Sequence, residues 1–185
     1  DSQKINNNIA MLAAMNTNQY PSSLYLWEKR TLYLGPLFEP IKLSQGAASF
    51  IISLDKSIKL KLQDDSSISC YSILLPPNVS FSVDTGNAVI ANCMLDPFGQ
   101  DYAILLDEME QKWLCKNQVS YGIKNEQSYI RQFKELYEGQ YSSPIAFTKL
   151  DEIISPSDRR ARLKCRIDPR IELIIRLIKQ NIGDN

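Results

Sequence analysis

Residues 48–62 read Ala48-Ser49-Phe50-Ile51-Ile52-Ser53-Leu54, then Asp55-Lys56-Ser57, then Ile58-Lys59-Leu60-Lys61-Leu62. In the last segment Ile58, Leu60 and Leu62 alternate with Lys59 and Lys61, the period-two pattern of a strand with one buried and one wet face. The first segment is mostly apolar, and the polar triplet between them predicts a turn joining two strands. The pattern continues on both sides. Toward the C-terminus, Gln63-Asp64-Asp65-Ser66-Ser67 turns and Ile68 to Leu75 forms a strand stopped by Pro76-Pro77-Asn78. Val79-Ser80-Phe81-Ser82-Val83 then alternates, Asp84-Thr85-Gly86-Asn87 turns, and Ala88 to Leu95 closes the series. Toward the N-terminus, Leu24-Tyr25-Leu26-Trp27 and Thr31-Leu32-Tyr33-Leu34 are short strands ending at Gly35-Pro36. Strands spaced by roughly 8–12 residues predict a sandwich or small barrel.

After Asp96-Pro97 the period lengthens. Ile104, Leu105, Met109 and Trp113 fit one helix or two short ones across Asp101 to Leu114. Asn125 is placed to cap a helix carrying Tyr129, Ile130, Phe133, Leu136 and Tyr137 on one face, ending near Gly139. Ser143-Pro144 opens another with Ile145, Phe147, Leu150, Ile153 and Ile154, and Pro156 ends it. Strands first and helices after give an α+β chain, a β-barrel followed by a C-terminal helical layer. Beyond it, Arg159, Arg160, Arg162, Lys164 and Arg166 form the one dense basic cluster, read as a solvated linker or a phosphate contact. Asp168-Pro169 then opens a last helix whose Ile171, Ile174, Ile175 and Ile178 call for an apolar partner.

The 185 residues are enough for one domain, or for one domain and part of a second. Lys plus Arg number 21, as do Asp plus Glu, so the overall charge points to no polyanionic partner. No apolar run reaches the ~18 residues of a membrane span, so the expected location is the cytoplasm, with no membrane partner. The four cysteines, Cys70, Cys93, Cys115 and Cys165, form no CxxC pair and read as free thiols. Histidine is absent. That removes the usual general base, the Ser-His and Cys-His nucleophile pairs and histidine metal sites, so neither an enzyme nor a cofactor is expected. Asp64-Asp65 and Asp107-Glu108 with Glu110 are adjacent acids and read as solvated charge.

Leu32-Tyr33-Leu34-Gly35-Pro36-Leu37, followed by an apolar strand ending in Leu54-Asp55, resembles the start of the sensing domain of AraC-type transcription regulators. Leu74-Leu75-Pro76-Pro77-Asn78 followed by Asp84-Thr85-Gly86-Asn87 resembles that domain's central turns. Leu95-Asp96-Pro97-Phe98-Gly99-Gln100-Asp101-Tyr102 resembles the passage from its barrel to its helices, and Asp168-Pro169-Arg170-Ile171 the lead into its DNA-binding half. The resemblance spans about Leu24 to Ile182. It implies a bacterial regulator's cupin-like jelly roll that binds a small molecule, helices that form a homodimer, and contact with DNA only through a further domain. Where many relatives carry histidines this sequence has Pro40-Ile41-Lys42-Leu43-Ser44-Gln45-Gly46 and Ser80-Phe81. No histidine-dependent metal site is therefore carried over.

On this reading residues 1–23 are an arm or a vector-derived segment, 24–100 the barrel, 101–155 the helical dimerisation layer, 156–167 a basic linker and 168–185 the first helix of the DNA-binding half. Candidate ligand contacts are Trp27, Tyr33, Phe50, Ile52, Leu60, Tyr71, Phe81 and Met94. Aromatic and aliphatic with few charges, they suit a mostly apolar or aromatic effector. Ile130, Phe133, Leu136 and Tyr137 are the candidate dimer contacts. The alternatives are a cupin-type enzyme without histidine ligands and a barrel that only dimerises.

Overall fold

A computed structural model describes residues 21–38, 40–43, 46–61, 67–79, 81–113 and 119–166. The N-terminal arm before residue 21, Asp64-Asp65, Cys115 and the helix expected over 168–185 lie outside the described residues.

The first nine strands run β1 (Ser23–Leu26), β2 (Arg30–Pro36), β3 (Ile41–Leu43), β4 (Ala48–Ser53), β5 (Ile58–Lys61), β6 (Ser67–Cys70), β7 (Ser72–Leu75), β8 (Phe81–Asp84) and β9 (Val89–Leu95). One sheet has the order β2-β9-β4-β7, the other β3-β8-β5-β6, and every pairing is antiparallel. Eight strands exchanged between two sheets in this order make a jelly roll. The larger sheet is extended by β1 beside β2 and by a hairpin, β10 (Met109–Trp113) and β11 (Val119–Ile123), beside β7. The turn into β9 shows how local chemistry passes the chain between the sheets. Gly86 and Asn87 both have positive φ (54° and 64°), and the Ala88 N–H donates to the Thr85 carbonyl at 3.0 Å. Two consecutive positive φ values, which Gly and Asn tolerate, make a tight turn that carries the chain from β8 in the smaller sheet to β9 in the larger.

The remaining elements are α1 (Gln100–Glu108), α2 (Glu126–Gly139), α3 (Ser143–Ile154) and α4 (Ser157–Arg166). The larger sheet is buried on both faces. Its inner face packs Ile51, Ile73, Leu75 and Ile90 against Ile58, Leu60, Phe81 and Val83 of the smaller sheet. Its outer face packs Leu32, Leu34, Phe50, Ile52 and Cys93 against Leu105, Phe133, Leu136, Leu150 and Ile154 of the helices. The Phe50 ring lies 6.2 Å from that of Phe133 and 6.3 Å from that of Tyr129. This double burial explains why β4 is apolar nearly throughout instead of alternating.

Four sequence expectations change. Ile68 to Leu75, read as one strand, breaks at Tyr71 into β6 and β7, which lie in different sheets. The span 101–155 is interrupted by the β10–β11 hairpin. Met109-Glu110-Gln111-Lys112-Trp113 has the residues of a helix, but pairing in the sheet overrides that preference. Residues 157–166 form a helix instead of an extended linker; the Pro156 carbonyl accepts the Arg159 and Arg160 N–H groups (3.0 and 3.1 Å) to start it. Asn125 precedes α2 in the left-handed region with no side-chain cap, its carbonyl accepting the Ser128 N–H at 2.8 Å.

Candidate functional site

The barrel interior is the first place to look for a ligand. Ile51, Ile58, Leu60, Ile73, Leu75 and Ile90 are all 0% exposed, so no void wide enough for a water molecule touches them. Leu60, read from sequence as a ligand contact, is core filling, and Phe81 belongs to the same cluster. Phe50 and Ile52 are corrected more sharply: they face the helices, on the opposite side of the sheet. Tyr33 packs at the edge of the inner cluster and its hydroxyl donates to the Pro36 carbonyl at 2.8 Å. Tyr71 and Met94 are half-buried. Ser49 and Asn92 form a buried pair there, with the Ser49 hydroxyl 2.6 Å from Asn92 Oδ1. Cys70 and Cys93 are free and buried. Burial pushes both thiols up to about 12, helped at Cys70 by the Glu126 charge, so neither is a nucleophile.

Open space is found instead at the seam between barrel and helices, a cleft of about 480 Å³ lined by Trp27, Arg30, Asp101 and Phe147, with Glu28 and Lys29 at its edge. Its construction follows from the fold. Arg30 opens β2 and pairs with Leu95, the last residue of β9. The chain turns at Asp96, whose carbonyl and carboxylate accept the Gly99 and Phe98 N–H groups (2.9 Å each), and enters α1. Asp101, in the first turn of α1, thereby meets Arg30, and the negative charge suits a helix start. Arg30 Nε and Nη2 donate to the two Asp101 oxygens at 2.6 and 2.9 Å, and Nη2 also donates to Asp151 of α3 at 2.7 Å. The Ser155 hydroxyl donates to Asp101, and Arg160 of α4 donates to the other Asp151 oxygen. One barrel arginine therefore ties together α1, α3 and, through Asp151, α4. A planar guanidinium suits this use because its donors fork in fixed directions.

The network's electrostatics favour the charged forms. Burial disfavours the Arg30 cation, but hydrogen bonds to Asp101 and Asp151, with their charges, raise it further above its usual value. Burial likewise disfavours the Asp151 carboxylate, and hydrogen bonds from Arg30 and Arg160 outweigh that and hold it below the usual carboxylate range. A lowered native value means the stabilisation is complete above the unfolded value of roughly 3.9 and is lost as pH falls through the native value. Asp151→Asn should therefore flatten stability against pH below about 4. Urea midpoints of both proteins across that window would show it, and parallel curves would refute it.

Aromatic contacts complete the walls. Trp27 stacks on Tyr25 (5.5 Å, 2° between planes), meets Phe147 edge-on at 5.4 Å, and donates Nε1–H to the Ser143 hydroxyl at 3.0 Å. The Tyr25 hydroxyl donates to the Tyr141 carbonyl at 2.8 Å, pinning β1 to the α2–α3 loop. The Arg30 guanidinium lies 5.1 Å from the Phe147 ring centre.

Of the sequence-derived candidates, the cleft contains Trp27 alone. Phe133 and Leu136, read as dimer contacts, are fully buried against the protein's own sheet and cannot face a second copy. Ile130 and Tyr137 pack beside them and stay half-buried. Arg159 and Arg160 turn inward, Arg159 donating to the Tyr129 hydroxyl and, at 3.3 Å, to the Ile153 carbonyl. Glu108, read as surface charge, is buried. Sequence reasoning passed over Arg30, Asp101 and Asp151, because nothing local marks three charges that meet from 71 and 121 residues apart. Among the described residues no three Cys, Asp or Glu side chains are grouped to hold a metal ion, and no helix is long and apolar enough to cross a membrane.

No protein-family model matches this chain, and none of the curated proteins matches its sequence. Among solved structures it is similar to an RmlC-like cupin protein from Desulfovibrio desulfuricans (10% identical, covering 45% of this chain and 92% of that one, TM-score 0.36). It is also similar to an RmlC-like cupin family protein with a double-stranded β-helix fold from Methanocaldococcus jannaschii (15%, covering 45% and 93%, TM-score 0.35). A third is a cupin-2 domain containing protein from Shewanella frigidimarina (7%, covering 48% and 92%, TM-score 0.35). The barrel is cupin-like by its own strand order.

Proposed function

We propose that this chain is the ligand-sensing and dimerisation domain of an AraC-type transcription regulator, a binding module that uses no cofactor. The observation that carries this reading is the Arg30 network: one barrel residue holds charges on two helices and, through Asp151, reaches a third. A small molecule that disturbs the seam therefore acts on the helical layer directly, which is what coupling between a ligand site and a distant DNA-binding half requires. The sequence resemblance and the absence of histidine support the same reading. The dimer forms through the exposed sides of the helices, with Ile130 and Tyr137 of α2 at its edge; DNA is reached only through the family's other domain.

Sedimentation equilibrium tests the dimer. A dimer at micromolar concentration is the expected result, and a monomer at the highest soluble concentration would remove dimerisation. A second reading, a barrel that only dimerises, is favoured by the filled interior around Ile51, Leu60 and Ile73. A melting-temperature rise with any member of a small-molecule panel decides for sensing.

A further inference from the structure

The seam cleft carries a feature that the ion network leaves over. Arg30 is nine-tenths buried, yet its Nη1 has no hydrogen-bond partner among the described residues. A buried guanidinium donor without an acceptor is costly, and a ligand oxygen would remove that cost. The charge of Arg30 is already balanced by Asp101 and Asp151. Lys29, Glu28 and Asp96 also line the cleft, so the remaining charges there are of both signs. A plain anion or a plain cation would meet like charge among them. Trp27 and Phe147 supply flat apolar surface, and the cleft volume falls within the range of about 300–1,000 Å³ of small-molecule sites.

We propose that this cleft binds a small aromatic zwitterion of the amino-acid class. The ring lies against Trp27, in the place that the Phe147 edge now occupies at 5.4 Å. The carboxylate faces Lys29 and Arg30 Nη1, and the ammonium faces Glu28 and Asp96. Phe147, which stands over the guanidinium and is 40% exposed, rotates aside to uncover Nη1. The site is distinct from the barrel interior and deepens the sensing reading, on which its regulatory meaning rests.

The test is calorimetric titration of the chain with L-phenylalanine, phenylacetate and 2-phenylethylamine. L-phenylalanine should bind saturably, and each half-molecule about tenfold more weakly, since each forfeits one set of charge-assisted hydrogen bonds. Glu28→Gln and Lys29→Gln, both exposed and outside the ion network, should each weaken L-phenylalanine about tenfold while melting like the wild type. No saturable binding of L-phenylalanine overturns the proposal. So does equal binding by both variants, or phenylacetate binding as tightly as the amino acid. The two readings fail separately: a monomeric chain contradicts the dimerisation reading whatever the titration gives, and a null titration of a dimeric chain contradicts the cleft proposal alone.

Discussion

Arg30→Met should destabilise the chain by about 3 kcal/mol, because it leaves the largely buried Asp101 and the partly exposed Asp151 without their shared cation. Methionine keeps most of the apolar stem, so the loss is electrostatic and not a cavity. Asp101 is the more buried partner, and its Ser155 hydrogen bond cannot replace a bidentate guanidinium. Asp151 is about one-third exposed and keeps Arg160, which limits its share of the cost. The triple variant Arg30→Met, Asp101→Asn, Asp151→Asn should recover part of the loss, since neutral amides cost less to bury than unpaired charges. Urea unfolding gives both values. A single variant as stable as the wild type would mean that the network contributes nothing to the docking of the helices.

Phe133→Ala should be at least as damaging, costing about 3–5 kcal/mol as expected for deleting a buried ring from a packed core. Phe133 is fully buried and its ring contacts Phe50 across the sheet–helix interface. Ile130→Ala, one turn away on the half-buried side of α2, should cost about 1 kcal/mol, because less apolar area is involved. The contrast separates the core side of α2 from the side open to a second copy. If Phe133→Ala merely dissociated a dimer and left the melting temperature unchanged, the placement of α2 on the barrel would be wrong.

Much of this architecture is legible in the sequence. The alternation at Ile58-Lys59-Leu60-Lys61 is strand β5, Gly86-Asn87 is a tight turn, and Ser143-Pro144 opens α3 as read. What stayed hidden has physical causes. In Phe50-Ile51-Ile52 every residue is apolar because both faces of the sheet are covered, so no alternation shows which residues face the barrel and which the helices. Phe133 and Leu136 show that α2 has an apolar face, but a stripe does not say whether a sheet or another molecule covers it. The hairpin after α1 is decided by pairing with β7, which no local pattern contains. The seam is the extreme case: Arg30, Asp101 and Asp151 look like ordinary charges until the jelly roll brings the start of β2 beside α1 and α3.

The most direct measurement is amide hydrogen exchange with and without saturating L-phenylalanine. If the seam is where a ligand acts on the helical layer, protection should rise in the first turn of α1, at the C-terminal end of α3 and in α4, while β5 and β8 in the filled barrel stay unchanged. No change in the helices, or a change confined to β5 and β8, would contradict it.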